Sequence, residues 1–259
     1  EDRSRTWSLG GSYTTDSITG TDSLDGVGGL PMPLTNAANK LRQSASDDKQ
    51  AKEFKIGLTQ VINAKSLVQL SYTKNISTGY HNDPYKLVSL VDSNGISTAS
   101  LYESRPDSRD RNVFFGEYTL FVDGDVLKLD YRFFNDDWGI NSNTFGVKYR
   151  WAQSENLYIE PHFRYYTQSA ADFHQFYLED SSPVPTNISS DSRLSAFNST
   201  TLGVKVGYNF ANYEISGRIE KMQQKTNESF SDAPGQLSGY DLFAPINALI
   251  AQVNFSVKF

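Results

Sequence analysis

Between residues 246 and 259 the chain reads INALIAQVNFSVKF, and its apolar residues fall on every second position. Leu249, Ala251, Val253, Phe255, Val257 and Phe259 share one parity, whereas Ile250, Gln252, Asn254, Ser256 and Lys258 share the other. Successive side chains take opposite sides only in an extended strand; a helix repeats about every 3.6 residues. The period returns at 201–210, where Leu202, Val204, Val206, Tyr208 and Phe210 oppose Gly203, Lys205, Gly207 and Asn209. Similar runs cover 213–220, 157–166, 145–151, 127–133, 114–122, 68–73, 54–59 and 7–13. The pattern predicts about ten strands of roughly 9–12 residues, a length suited to tilted strands crossing a bilayer. Pro161 interrupts one run and predicts a bulge or a change of register, because proline lacks a ladder donor. Gly11 and Gly116, on the apolar parity, predict bends or close contacts.

The connections alternate as well. Those at 63–65, 123–125, 154–156 and 211–212 are tight, and polar stretches at 15–51, 76–111, 169–196 and 226–245 are long, with 135–141 intermediate. The fold expected is all-β: one antiparallel transmembrane β-barrel domain over 1–259, with long extracellular loops and short periplasmic turns. It belongs in a bacterial outer membrane. The alternating strand that ends at Phe259 resembles the signature read by the outer-membrane assembly machinery. A soluble β-sandwich shares the strand period but needs no regular alternation of long and short loops.

Composition sharpens this picture. The 259 residues include 15 Tyr and 16 Phe, yet mean hydropathy is −0.50 and net charge −6. Such averages arise when apolar and polar faces alternate. With no Cys, disulfides, thiolate metal sites and thiol nucleophiles are excluded. The acidic balance argues against nucleic acid as a partner; the partner expected is the lipid bilayer. Trp7, Tyr72, Tyr118, Tyr149, Trp151, Tyr165 and Phe259 are candidates for an interfacial girdle. The other parity carries Lys55, Lys128, Arg132, Lys148, Arg150, Arg164, Lys205, Arg218 and Lys258, with Glu117, Asp130, Glu160, Glu214, Glu220 and His162. These are the lumen-lining candidates. In a barrel this small they either pair into a polar plug or line a narrow path favouring anions.

Catalytic signals are sparse, and no enzymatic activity is assigned. His81 and Asp83, two residues apart in His-Asn-Asp-Pro, form a pair that could activate water in a loop-sited hydrolase. The bland alternative is loop packing. Asp47-Asp48 and Asp136-Asp137 lack the spacing of a calcium loop, so no metal or cofactor is expected. His174 has no assigned role.

Several stretches resemble a known family. These are TWSLGGSYTTD at 6–16, GYHNDPYK at 79–86, RPDSR at 105–109, DDWGI at 136–140 and RYYTQSAADF at 164–173. Together they resemble the outer-membrane family called domain of unknown function 3570, across roughly 6–173. Thr19 and Thr21 depart from its pattern in the first loop. The resemblance implies more sequence before the Trp7 strand, hence twelve strands, and an association with periplasmic redox lipoproteins. In the loop that carries His81, Asp83, Pro84, Arg105, Asp107 and Arg109, charge-assisted hydrogen bonds and two prolines predict a locked lid over the mouth. The function expected is a narrow channel or transport conduit with a loop-restricted, cation-lined lumen. The alternative is a plugged scaffold that docks a protein partner through its loops or periplasmic face.

Overall fold

The structure is a computed structural model that describes residues 4–18, 47–83, 86–226 and 228–257, with Asp47 described by its backbone alone. Pro84, Lys258 and Phe259, and most of the first long loop, lie outside the described residues. The strands are β1 (Arg5–Ile18), β2 (Asp47–Asn63), β3 (Ser66–Gly79), β4 (Leu87–Val91), β5 (Ser97–Tyr102), β6 (Ser108–Val122) and β7 (Asp125–Asp136), followed by β8 (Asn141–Ala152), β9 (Leu157–Gln168), β10 (Tyr177–Glu179), β11 (Phe197–Asn209), β12 (Tyr213–Lys225) and β13 (Ile246–Val257). Ten of them form one sheet in the order β1-β2-β3-β6-β7-β8-β9-β11-β12-β13, each antiparallel to its neighbours.

The ten strands expected from periodicity are thus the strands of the main sheet, although six of them run to 13–17 residues where roughly 9–12 were expected. The extra length is polar and lies toward the long loops, where alternation no longer marks it. Among the described residues no pairing joins β1 to β13, so the described sheet is open where a closed barrel was expected.

The tight turns have local causes. At 123–124 both residues take positive φ, 51° at Asp123 and 95° at Gly124. This is the mirror-image turn whose twist suits a two-residue hairpin. Pro161 produces no register change: pairing stops after Lys148↔His162 and resumes in the same register at Trp151↔Ile159. On the other side Val204↔Pro161 is kept. The missing donor costs a stretch of ladder to β8 and leaves the alternation of β9 intact. A real bulge sits elsewhere, between Val61 and Asn63.

The pairings bring like parities together. Trp7 faces Leu58, Leu58 faces Leu70, Leu129 faces Val147, Val204 faces Ile219 and Ile215 faces Phe255. The result is an apolar belt across all ten strands, and its large side chains are exposed, among them Leu9, Leu202, Val253 and Phe255. On the loop side a polar row bounds the belt, with Lys74 opposite Asn112, Asn112 opposite Asn135 and Asn143 opposite Thr167. From Leu202 to Phe210 the belt spans roughly 20 Å once strand tilt is allowed for.

The long loops are more than polar connectors. β10, β4 and β5 form a second, three-stranded sheet, with β10 parallel to β4. Val88, Leu101, Leu178 and Ile188 make its core. A second cluster of Trp138, Ile140, Ala171 and Leu194 joins the 137–140 turn to the 169–196 loop, with Phe134 of β7 against it. These two cores form a cap at the loop end of the main sheet.

Candidate functional site

The face opposite the belt carries the charges singled out by parity. Some of them pair across strands. Lys128 meets Glu117 at 3.6 Å, Lys205 meets Glu214 at 3.5 Å and His162 meets Glu220 at 3.1 Å, while within β12 Arg218 meets Glu220 at 3.2 Å. Arg150 lies over the Tyr158 ring at 3.7 Å, and Arg164 lies 5.5 Å from the Tyr166 ring. Lys55, Arg132 and Lys148 have no ion pair among the described residues.

Glycines on this charged face make room for their neighbours. A Cβ on Gly203 would lie 2.3 Å from the His162 ring, one on Gly207 2.2 Å from the Tyr158 ring, and one on Gly146 2.4 Å from the Asp130 carboxylate. Polar side chains lie flat across these gaps instead of projecting inward. Gly207→Val is therefore expected to displace Tyr158, break its 2.5 Å hydrogen bond to Glu214 and lower the unfolding midpoint. An unchanged midpoint would show the site to be loosely packed. On the belt side, Gly116 leaves an apolar groove beside Leu70 and Tyr131; Gly11 is near only a backbone oxygen of Glu53.

The aromatic residues expected to form a girdle fall at different heights of the belt. Trp7, Tyr149 and Trp151 sit toward the tight-turn ends, and Tyr72 and Tyr165 toward the polar row. Tyr118, by contrast, falls in the middle of the belt, paired with Val68 and Leu129. Parity alone gave its side and not its height. A further stack, which parity within single strands does not reveal, lies at the β11–β12 turn, where Phe210 is 4.3 Å from Tyr213 and Tyr213 5.7 Å from Phe255.

At the loop end the cap is held by buried carboxylates. The Asp191 side chain is 1% exposed and accepts from Arg105 Nη2 at 2.8 Å and from Arg193 Nε and Nη2 at 2.8 and 2.5 Å. Glu103, also 1% exposed, takes Arg105 at 2.8 Å, Ser189 at 2.5 Å and the Asp83 amide. Arg193 reaches Asp83 at 2.8 Å. Arg109 donates to Asp136 at 2.8 and 2.5 Å and lies over Trp138 at 4.3 Å. Asp107 contributes its backbone carbonyl, which accepts from the Gly79 amide. The locked loop expected from charge is present, but most of its partners come from the distant 169–196 segment.

The His81–Asp83 pair does not form. His81 Nδ1 lies 2.8 Å from the Gly79 carbonyl and Nε2 2.9 Å from Ser77 Oγ, with the ring edge-on to Trp138. Asp83 is turned to Arg193. Nearness in sequence does not bring them together, because His81 is held at the end of β3 and Asp83 by the 169–196 segment. Nor is Asp136-Asp137 an open carboxylate pair: the Asp136 oxygens already accept from Arg109, the Trp138 amide and the Ile140 amide.

Burial would raise the Asp191 carboxyl, but the hydrogen bonds from Arg193 outweigh it and hold the group down at about 2 from an ordinary 3.8. Burial holds His174 down at about 4 from 6.5. Both folded values are depressed, so both contributions are complete at neutral pH and lost on acidification. The histidine contribution falls between about pH 6.5 and 4, and that of Asp191 between about 4 and 2. The Asp191 step is worth about 2 kcal/mol. In an acid titration of Trp138 fluorescence, Asp191→Asn is expected to remove the lower step and to move the upper one toward more acid pH, because the Asp191 charge favours the protonated His174.

Two polar cavities lie along the charged face. One, of about 320 Å³, is near the tight turns and is lined by Lys128, Lys148, Arg150, Glu117 and Glu160 among others. The other, of about 430 Å³, lies beneath the cap and is lined by Arg105, Arg109, Arg111, Arg132, Arg193 and Asp191 with Phe134, Ile140 and Tyr166. Arg111 was missed in the sequence. Its signal was parity with Arg109 in 109–113, beyond the point where apolar alternation ends.

A family model described as "Protein of unknown function (DUF3570)" matches residues 1–257. No curated protein matches the chain. Among solved structures, the chain is similar to outer-membrane expressed OmpT of Vibrio cholerae, with 11% identity, TM-score 0.46, and 98% of this chain and 76% of that chain covered. It is also similar to in-vitro folded OmpT of the same organism, with 9% identity, TM-score 0.43, and 95% and 73% covered.

Proposed function

Given that the chain belongs to the family described as a protein of unknown function, its role is read from its own residues, and we propose that it is a bacterial outer-membrane β-barrel acting as a narrow, anion-preferring conduit restricted by its loop cap. The observation that carries this reading is the two-faced sheet. One face is an exposed apolar belt bounded by a polar row, and the other bears charges and a polar cavity toward each end. An exposed belt of this height is unfavourable in water and favourable in a bilayer. With the belt outward, the charged face encloses the path, and its surplus of Lys and Arg over Asp and Glu sets the sign of what passes. The final strand engages the outer-membrane assembly machinery.

In planar bilayers the purified protein is expected to give small discrete steps with reversal potentials favouring chloride over potassium. The double substitution Arg132→Glu with Lys148→Glu is expected to reduce or invert that preference. Folded protein that gives no steps would defeat the conduit reading. One observation favours a second reading, a plugged scaffold that docks a redox-related or other protein partner: the buried Glu103 and Asp191 side chains seal the cap. Absence of conductance together with a partner that is lost on deleting 78–109 would favour the scaffold.

A further inference from the structure

The cavity beneath the cap holds five arginines and one carboxylate in its wall. Three of the arginines are already neutralised: Arg105 by Glu103 and Asp191, Arg109 by Asp136, and Arg193 by Asp191 and Asp83. Arg111 and Arg132 have no ion pair among the described residues. Arg111 Nη2 reaches Ser77 Oγ at 3.3 Å, while its Nε is buried with no hydrogen-bond partner. The Arg132 guanidinium lies 5.6 Å from the Phe134 ring. A half-buried guanidinium with no carboxylate within ion-pair distance is open to an incoming anion, and each offers a planar fork of donors. We infer that this cavity binds a small organic or inorganic oxyanion carrying at least two negative groups, held at its two ends by Arg111 and Arg132.

The register argues for two groups. Arg111 faces Asp136 and Arg132 faces Phe115, so the two side chains leave adjacent strands four residues apart along the ladder. That separates their backbones by roughly 13 Å. Side chains converging from such a distance fit the ends of one elongated anion better than a single halide. Phosphate and carboxylate both match the guanidinium fork, and a cavity of about 430 Å³ admits a compact metabolite-sized molecule. Phe134, Ile140 and Leu194 supply an apolar wall for a short carbon frame. A lipid headgroup is a poor fit, because the cavity opens on the charged face and the belt lies on the other. The site concerns binding and stands whether or not ions pass.

The test is isothermal titration calorimetry of the folded full chain in detergent micelles with pyrophosphate, citrate, inorganic phosphate and chloride. Pyrophosphate or citrate is expected to bind at least about ten-fold more tightly than inorganic phosphate, with no heat from chloride at equal ionic strength. The tighter of the two assigns the phosphate or carboxylate class. Arg111→Gln and Arg132→Gln are each expected to weaken binding about ten- to a hundred-fold, and Arg111→Lys by less. The inference is overturned if folded wild-type protein binds neither multivalent anion, or if the double glutamine variant, with an unchanged circular dichroism spectrum, binds as well as wild type. Should that variant not fold, the comparison of multivalent with monovalent anions on the wild type decides. Binding without conductance would uphold the site and reject the conduit; conductance without binding would do the reverse.

Discussion

Replacing Asp136 by alanine is expected to loosen the cap by about 3–5 kcal/mol, read as a lower urea midpoint for the quenching of Trp138 fluorescence in folded protein. The Asp136 side chain has 0% exposure. One oxygen takes two donors of Arg109, and the other takes the Trp138 and Ile140 amides. Alanine leaves a largely enclosed guanidinium and two amides without acceptors. The loss of burial by the side chain itself is small by comparison, so the effect arises from what remains behind. Two companion variants separate these causes. Asp136→Asn keeps an acceptor for the amides and loses the charge, so it is expected to fall between wild type and alanine. Arg109→Met in the alanine background removes the stranded charge and is expected to recover part of the loss. A midpoint within about 0.5 kcal/mol of wild type for Asp136→Ala would mean that the carboxylate is dispensable.

The second large effect concerns Asp191, the point where two segments of the cap meet. Its carboxylate holds Arg105 of the 80–107 segment and Arg193 of its own loop. Asp191→Ala is expected to raise the opening equilibrium of the cap on the order of a hundred- to a thousand-fold. In vesicles this reads as faster proteolytic cleavage around 180–187, and in planar bilayers as larger single-channel steps, while the main sheet keeps its strand content. Equal protease resistance and equal step size would show that the latch is redundant with the apolar cores.

The reading of the main sheet succeeded where burial is one-sided. In β11 and β12 every second residue faces the belt, so identity follows parity from Leu202 to Tyr208 and from Tyr213 to Ile219. The cap was not legible for an equally physical reason. Val88 and Leu101 find Leu178 and Ile188 far along the chain, and β10 has three residues, too few to show a period. The charges of the cap were seen, but their partners were not. Asp83 lies two residues from His81 and is bonded instead to Arg193. Short polar segments carry no signal of which distant polar group completes them, whereas an alternating strand needs only its neighbour.

That neighbour-to-neighbour order also bears on kinetics. Every pairing of the main sheet joins strands consecutive within it, and the insertions between them fold into a separate three-stranded sheet. Closing a hairpin over a two-residue turn such as that at 123–124 costs little chain entropy, whereas bringing Glu103 to Ser189 closes a long loop. The sheet can therefore zip strand by strand into the bilayer, with the cap clasping last. A refolding time course would then show strand formation ahead of the burial of Trp138.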